Sequence, residues 1–120
     1  MTKEYSAITA DITAYVKQLK AVIPDTLTGF YAMSGAATRD GALDKKTKEF
    51  IALAIGVSTR CDGCIGFHTK ALRDLGATRE EVAEVLGMAI YMGGGPSLMY
   101  AADALRSFDQ FTADAAGQGV

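Results

Sequence analysis

The sequence predicts an all-α fold, a single domain of about six helices. Three observations predict it. Apolar residues recur at three- and four-residue spacing along most of the chain. Alanine and methionine supply much of an apolar content of 49%, and tryptophan is absent, a mix that favours helices over sheets. Helix start and stop signals divide the periodic stretches. One domain is the expectation for 120 residues, with a motif-bearing core over about 40–111.

The first helix is expected over 6–21, with Ile8, Ile12, Tyr15, Val16 and Leu19 on one face. Pro24 ends it or opens the second, expected over 24–37, with Leu27, Phe30, Tyr31 and Ala37 as core candidates. Asp40-Gly41 reads as a turn. Asp44 is a good N-cap for a third helix to about residue 59. That helix is apolar on every side between Phe50 and Val57 and is expected at the centre of the fold. Its lead-in holds Lys45, Lys46 and Lys48. Cations are unfavourable at a helix N-terminus, and acids of a neighbouring chain are expected to answer them.

The fourth helix starts at the cysteine pair and stops at Gly76, a C′ glycine. Thr78-Arg79-Glu80-Glu81 is a capping box for the fifth, which ends near Met92. Gly93-Gly94-Gly95-Pro96 breaks the chain, and a sixth helix spans 96–111. Met88, Tyr91, Met92, Met99 and Tyr100 read first as core, then as an oligomer contact or an apolar channel. The tail from residue 112 reads as frayed.

The chemistry concentrates in Cys61-Asp62-Gly63-Cys64-Ile65-Gly66-Phe67-His68, which holds both cysteines and the single histidine. On a helix, residues 61, 64 and 68 share a face with Ala71, Leu72 and Leu75, and Lys70, Arg73 and Asp74 lie opposite. The thiols and the imidazole are therefore expected on the inward side. A cysteine one turn from a histidine, at a helix start, is placed to become a thiolate near neutral pH. Asp62 opposes this by setting a negative charge beside both sulfurs. Glu49, twelve residues before Cys61, reads either as an exposed charge paired with Lys45 or as a half-buried carboxylate that orients His68.

Two metal readings compete with the redox reading. Cys61, Cys64 and His68 offer three zinc ligands, with Glu49 as a fourth, but no second cysteine pair exists to close a structural site. A c-type haem needs histidine directly after the second cysteine, where Ile65 stands. The glycine run before Pro96 has neither the spacing nor the preceding strand of a dinucleotide site. No metal or cofactor is assigned. Net charge is −2 with no long basic run, which excludes a nucleic-acid footprint. The chain starts without an apolar leader, and the run 50–57 is too short to span a bilayer. A soluble, cytoplasmic protein is the expectation, and in a reducing compartment a close cysteine pair reads as redox or metal chemistry.

A glutamate, eleven residues, Cys-x-x-Cys, three residues and a histidine, followed by a helix ending in glycine and a Thr-x-Glu-Glu start, resembles the carboxymuconolactone decarboxylase family. Within it the chain is similar to the alkylhydroperoxidase AhpD-like branch. The resemblance covers about residues 40–111, and the first 40 residues match only as generic helix. It implies an all-helical, oligomeric fold, hexameric in many short members and trimeric in others. It implies a peroxiredoxin-type alkylhydroperoxidase that cycles between dithiol and disulfide, with no cofactor. The family's active residues fall on Glu49, Cys61, Cys64 and His68. The second cysteine is then the attacking thiol and the first resolves it. The implied partners are a hydroperoxide and a dithiol reductant of lipoyl or thioredoxin-like type. Peroxidases of that branch tend to carry histidine just before the second cysteine, where this chain has Gly63. The true decarboxylases lack the cysteine pair, which argues against lactone decarboxylation here.

Overall fold

The computed structural model describes residues 2–117. Among these it forms six α-helices and no strand: α1 (Tyr5–Val22), α2 (Pro24–Thr38), α3 (Lys45–Ser58), α4 (Asp62–Asp74), α5 (Arg79–Gly93) and α6 (Gly95–Gly117). The all-helical expectation holds. The helix starts are built by the signals read above. Asp44 caps α3 by accepting the Thr47 N–H at 2.7 Å. Thr78 and Glu81 close a reciprocal capping box on α5, at 3.1 and 2.9 Å.

Glu81 also binds Lys46 of α3 at 2.9 Å, so one carboxylate caps α5 and ties it to α3. The Thr78 backbone N–H and then Lys46 hold Glu81 below the usual carboxylate range. Its contribution is present above the ordinary glutamate pKa and is lost as pH falls through its own lowered value. The lysine lead-in is thus answered within the chain: Lys46 by Glu81, and Lys48 by the Arg39 carbonyl at 2.6 Å. No neighbouring chain is needed for either.

The core is built from α3 to α6, with one large contribution from α1. Leu53 and Val57 of α3, Ile65 and Leu72 of α4, Val82 and Leu86 of α5, and Ala104 and Phe108 of α6 are buried together with Tyr5. α3 packs on α4 and α5, α6 packs on α4 and α5, and α1 crosses α4. Between α4 and α6 the buried Thr69 and Ser107 hydroxyls satisfy one another at 2.6 Å.

Several burial expectations are corrected. In α2 Leu27 is buried, but Phe30 and Tyr31 are more than half exposed and Ala37 is exposed. α2 meets only α1 and α3, so it has little surface against which to bury a second residue. On α1, Tyr15 and Leu19 face outward, and Tyr5 and Thr9 are the buried residues. α3 is central but not enclosed, because Ile51 and Ile55 stand on a solvent-facing side. Met88, Tyr91, Met92 and Met99 are all exposed, because α5 and α6 meet through Ala89, Ala101 and other small or buried residues instead. The glycine break reduces to one residue: Gly94, at φ 72°, separates α5 from α6, and Gly93 and Gly95 are helical. The helix expected to fray at residue 112 continues to Gly117, its turn at Phe111 held by Arg73 Nη1 on the Phe111 carbonyl at 2.8 Å. Residues 118–120 of that expected tail lie outside the described residues.

Two helix ends share one geometry with different residues. After α4, Gly76 at φ 79° passes its N–H to Arg73, and Ala77 bonds back to Leu72. After α3, Arg60 at φ 57° passes its N–H to Val57, and Cys61 bonds back to Gly56. Both are Schellman closures, but the second puts an L side chain in the left-handed region. Arg60→Gly is therefore expected to stabilise the fold by roughly 0.5–1 kcal/mol, the relief of that strain less the extra flexibility of glycine in the unfolded chain. Denaturant unfolding of the two proteins checks it, and an unchanged or lower midpoint would contradict it.

Candidate active site

The Schellman closure delivers Cys61 directly to the start of α4. Cys61 is the N-cap, with extended backbone, and it sits outside the helix proper. Its sulfur accepts the backbone N–H of Cys64 at 3.1 Å, a bond usually made by a capping oxygen. Cys61 and Cys64 are joined as a disulfide, with Cα atoms 5.2 Å apart, inside the range that such bridges need.

The fully buried face of α4 consists of Ile65, Gly66, Thr69 and Leu72. Cys61, Cys64 and His68 flank it and are half-buried, and Leu75 at the end of the same stripe is exposed. The thiols and imidazole, expected partly buried on the inward side, are partly buried at the edge of that face. The opposite face is not uniformly wet either, since Arg73 is half-buried beneath Phe111.

α3 supplies the wall behind this edge. Glu49, Leu53 and Gly56 recur on one buried face of α3. Glu49 Oε2 lies 2.5 Å from His68 Nδ1. A carboxylate only accepts, so Nδ1 carries the proton and Nε2 is left as the basic ring nitrogen. Glu49 is 7% exposed at its side chain and His68 31%, so the carboxylate is the buried anchor and the imidazole the accessible group. No Glu49–Lys45 ion pair forms among the described residues. At Gly56 an added Cβ would stand 2.9 Å from Cys64 Cβ, with no flexible group in between. Pairing 49 with 68 and 56 with 64 places α3 antiparallel to α4. Sequence reading missed Gly56. The available signal was a lone glycine inside an apolar helix, where it is unfavourable relative to alanine.

The carboxymuconolactone decarboxylase family model matches residues 24–107. The chain belongs to this family. The match begins at α2, earlier than the resemblance read from the motif. A solved apo structure of a carboxymuconolactone decarboxylase family protein from Legionella pneumophila is 58% identical and superposes with a TM-score of 0.87, covering 89% of this chain and 96% of that one. A family protein of Thermotoga maritima, described in connection with the antioxidative response, is 29% identical at a TM-score of 0.71, covering 77% and 95%. The alkyl hydroperoxide reductase AhpD of Mycobacteroides abscessus is 38% identical over 52 residues, which are 43% of this chain and 30% of that protein.

In this family member Asp62 does not stand as a bare charge beside the sulfurs. Its Oδ1 accepts from Lys3 Nζ at 3.0 Å and from the Tyr5 hydroxyl at 2.9 Å. Gly63 is covered by α1: a Cβ there would meet Ile12 Cδ1 at 2.9 Å. At Gly66 a Cβ would lie 2.5 Å from Thr9 Cγ2, so α1 crosses α4 in direct contact with its glycines. No three His, Cys, Asp or Glu side chains converge in a metal-binding arrangement among the described residues. No helix among them is long and apolar enough to cross a membrane.

Gly56→Ala is expected to force α3 from α4 at Cys64, lowering stability by about 1–3 kcal/mol. Chemical denaturation measures the loss, and a parent-like midpoint would mean that the helices meet less closely than described.

Proposed function

We propose that this protein is a thiol-dependent oxidoreductase of the peroxidase type, which reduces hydroperoxides through Cys61 and Cys64. The observation that supports it most is the buried Glu49 carboxylate on His68 Nδ1, one helical turn from a cysteine already paired with its neighbour. The AhpD likeness and the antioxidative association of the Thermotoga relative support the same reading.

In the reduced protein His68 Nε2 takes the Cys64 proton, and Glu49 stabilises the resulting imidazolium. The Cys64 thiolate attacks the terminal oxygen of the hydroperoxide. The O–O bond breaks, the alkoxide leaves with the proton held on His68 as an alcohol, and Cys64 becomes a sulfenic acid. The Cys61 sulfur then attacks Cys64, releasing water and closing the disulfide. Two electrons and two protons from an external dithiol, of lipoyl or thioredoxin-like type, restore the pair. The exposed apolar residues of α2, α5 and α6 fit a homo-oligomer, in which these faces cover one another.

A second reading is disulfide exchange without peroxide chemistry. It is favoured by the position of Cys61, whose sulfur receives a helix N-terminal N–H, the setting that makes a thiol acidic.

Intact mass after one equivalent of an organic hydroperoxide separates the two. The peroxidase reading expects a loss of about two mass units within seconds, from the two hydrogens lost on closure. No change over many minutes transfers the assignment to disulfide exchange. Cys64→Ser is expected to abolish peroxide turnover, and Cys61→Ser to form the sulfenic acid without recycling. Full turnover by Cys64→Ser would overturn the mechanism. Glu49→Gln is expected to slow the peroxide step by roughly tenfold or more, read by stopped-flow.

A further inference from the structure

Residues 3–5 are tied to the start of α4 by a set of bonds that the peroxide mechanism does not use. Lys3 Nζ bridges Asp62 Oδ1 at 3.0 Å and Asp103 Oδ2 of α6 at 2.8 Å, and lies 4.9 Å from the Tyr100 ring centre. Tyr5 is fully buried, and its hydroxyl donates to the same Asp62 oxygen at 2.9 Å. The backbone of the segment is clasped by one side chain: Tyr5 N–H donates to Gln110 Oε1 at 2.9 Å, and Gln110 Nε2 donates to the Lys3 carbonyl at 2.8 Å.

Asp62 is the first residue of α4, between the two cysteines. A carboxylate there competes with a thiolate for the positive end of the helix. The Lys3–Asp62 pair is about one-third exposed, so it adds little to stability. Its effect on a neighbouring sulfur is another matter, because a thiolate responds to each charge around it.

We propose that the N-terminal segment is a working part of the dithiol centre: the Lys3 ammonium, shared with Asp103, partly offsets the Asp62 charge and the Tyr5 hydroxyl fixes that carboxylate, so that the reduced pair keeps a reactive thiolate. Lys3 and Tyr5 are positioning residues, acting through Asp62. The charged and titratable groups around the pair are Arg60, directly before Cys61 in the α3–α4 turn, Lys3 and Tyr5 from the α1 side, and Asp103 and Tyr100 from α6, with Arg106 beside Asp103. Glu49 of α3 acts through His68, and Asp62 and His68 lie on α4 itself. Burial, then the Asp62 bond, pushes the Tyr5 phenol far above its ordinary range, so it remains a donor across the working range of the thiols. Lys3 is likewise raised, chiefly by its bond to Asp103, and stays a cation there.

The proposal rests on Cys61 and Cys64 being a redox couple, but not on their reacting with peroxide. Disulfide reduction takes two electrons and two protons from a dithiol such as dithiothreitol, and one proton then leaves to give the thiolate. The test titrates ultraviolet thiolate absorbance against pH in the reduced parent, Lys3→Met, Asp62→Asn and the double variant. Lys3→Met is expected to raise the midpoint by about one pH unit, Asp62→Asn to lower it, and the double variant to return it close to the parent. In a glutathione buffer at mildly alkaline pH, Lys3→Met is expected to shift the equilibrium several-fold toward disulfide, and Lys3→Arg to restore it. A lower melting temperature with an unmoved midpoint would overturn the proposal, leaving Lys3 a purely structural tie. Two single variants that shift in the same direction would also overturn it. A parent inert to peroxide but showing these shifts defeats only the peroxidase reading. A parent whose cysteines do not interconvert reversibly defeats both.

Discussion

Close contact between α3 and α4 is the constraint on which the rest of the site depends. It exists because Gly56 has no side chain where Cys64 approaches. With the two helices antiparallel and close, Glu49 falls against His68, and the buried carboxylate has a partner rather than an unpaired charge. The turn between them is equally confined. Cys61 gives its N–H to the Gly56 carbonyl and accepts the Cys64 N–H at its sulfur, so its backbone and side chain are both held. One glycine thus sets the spacing for both sulfurs and for the Glu49–His68 pair.

The outer face of α4 is finished by α1. Gly63 and Gly66 accept Ile12 and Thr9 as Gly56 accepts Cys64, so α4 is approached on two sides through its own or its neighbour's glycines. The stretch that holds the disulfide is consequently gripped by the helix before it and by the start of the chain. α2 lies outside this arrangement, anchored by Leu27, and shows solvent a surface that includes Phe30, Tyr31 and Met33.

Local signals made much of this legible in the sequence. Asp44, Thr78 with Glu81, and Gly76 each act through residues within five positions, so caps and helix ends could be placed before any tertiary contact was known. Spacing together with resemblance pointed to Glu49, Cys61, Cys64 and His68, and among these the fold joins Glu49 to His68 and Cys61 to Cys64. What was not legible depends on distant partners. Lys3 meets Asp62 and Asp103 across 59 and 100 residues, and no periodicity encodes that. Apolar content also failed to say which surface is buried. Tyr91 and Met92 look like core by type, yet they stand outside because smaller residues already fill the α5–α6 contact. Arg60 hid a glycine-type position behind a charged residue.

The bridge between Cys61 and Cys64 spans only three positions of sequence. Closing so short a ring removes little freedom from the unfolded chain, about 2 kcal/mol by the usual chain-entropy relation. By linkage, folding can favour the disulfide over the dithiol by no more than a similar amount through that route. That route biases the folded chain toward the disulfide by at most about thirtyfold, far less than the bridge of a long loop would. So short a bridge adds little to what holds the core of Leu53, Ile65 and Leu72 together.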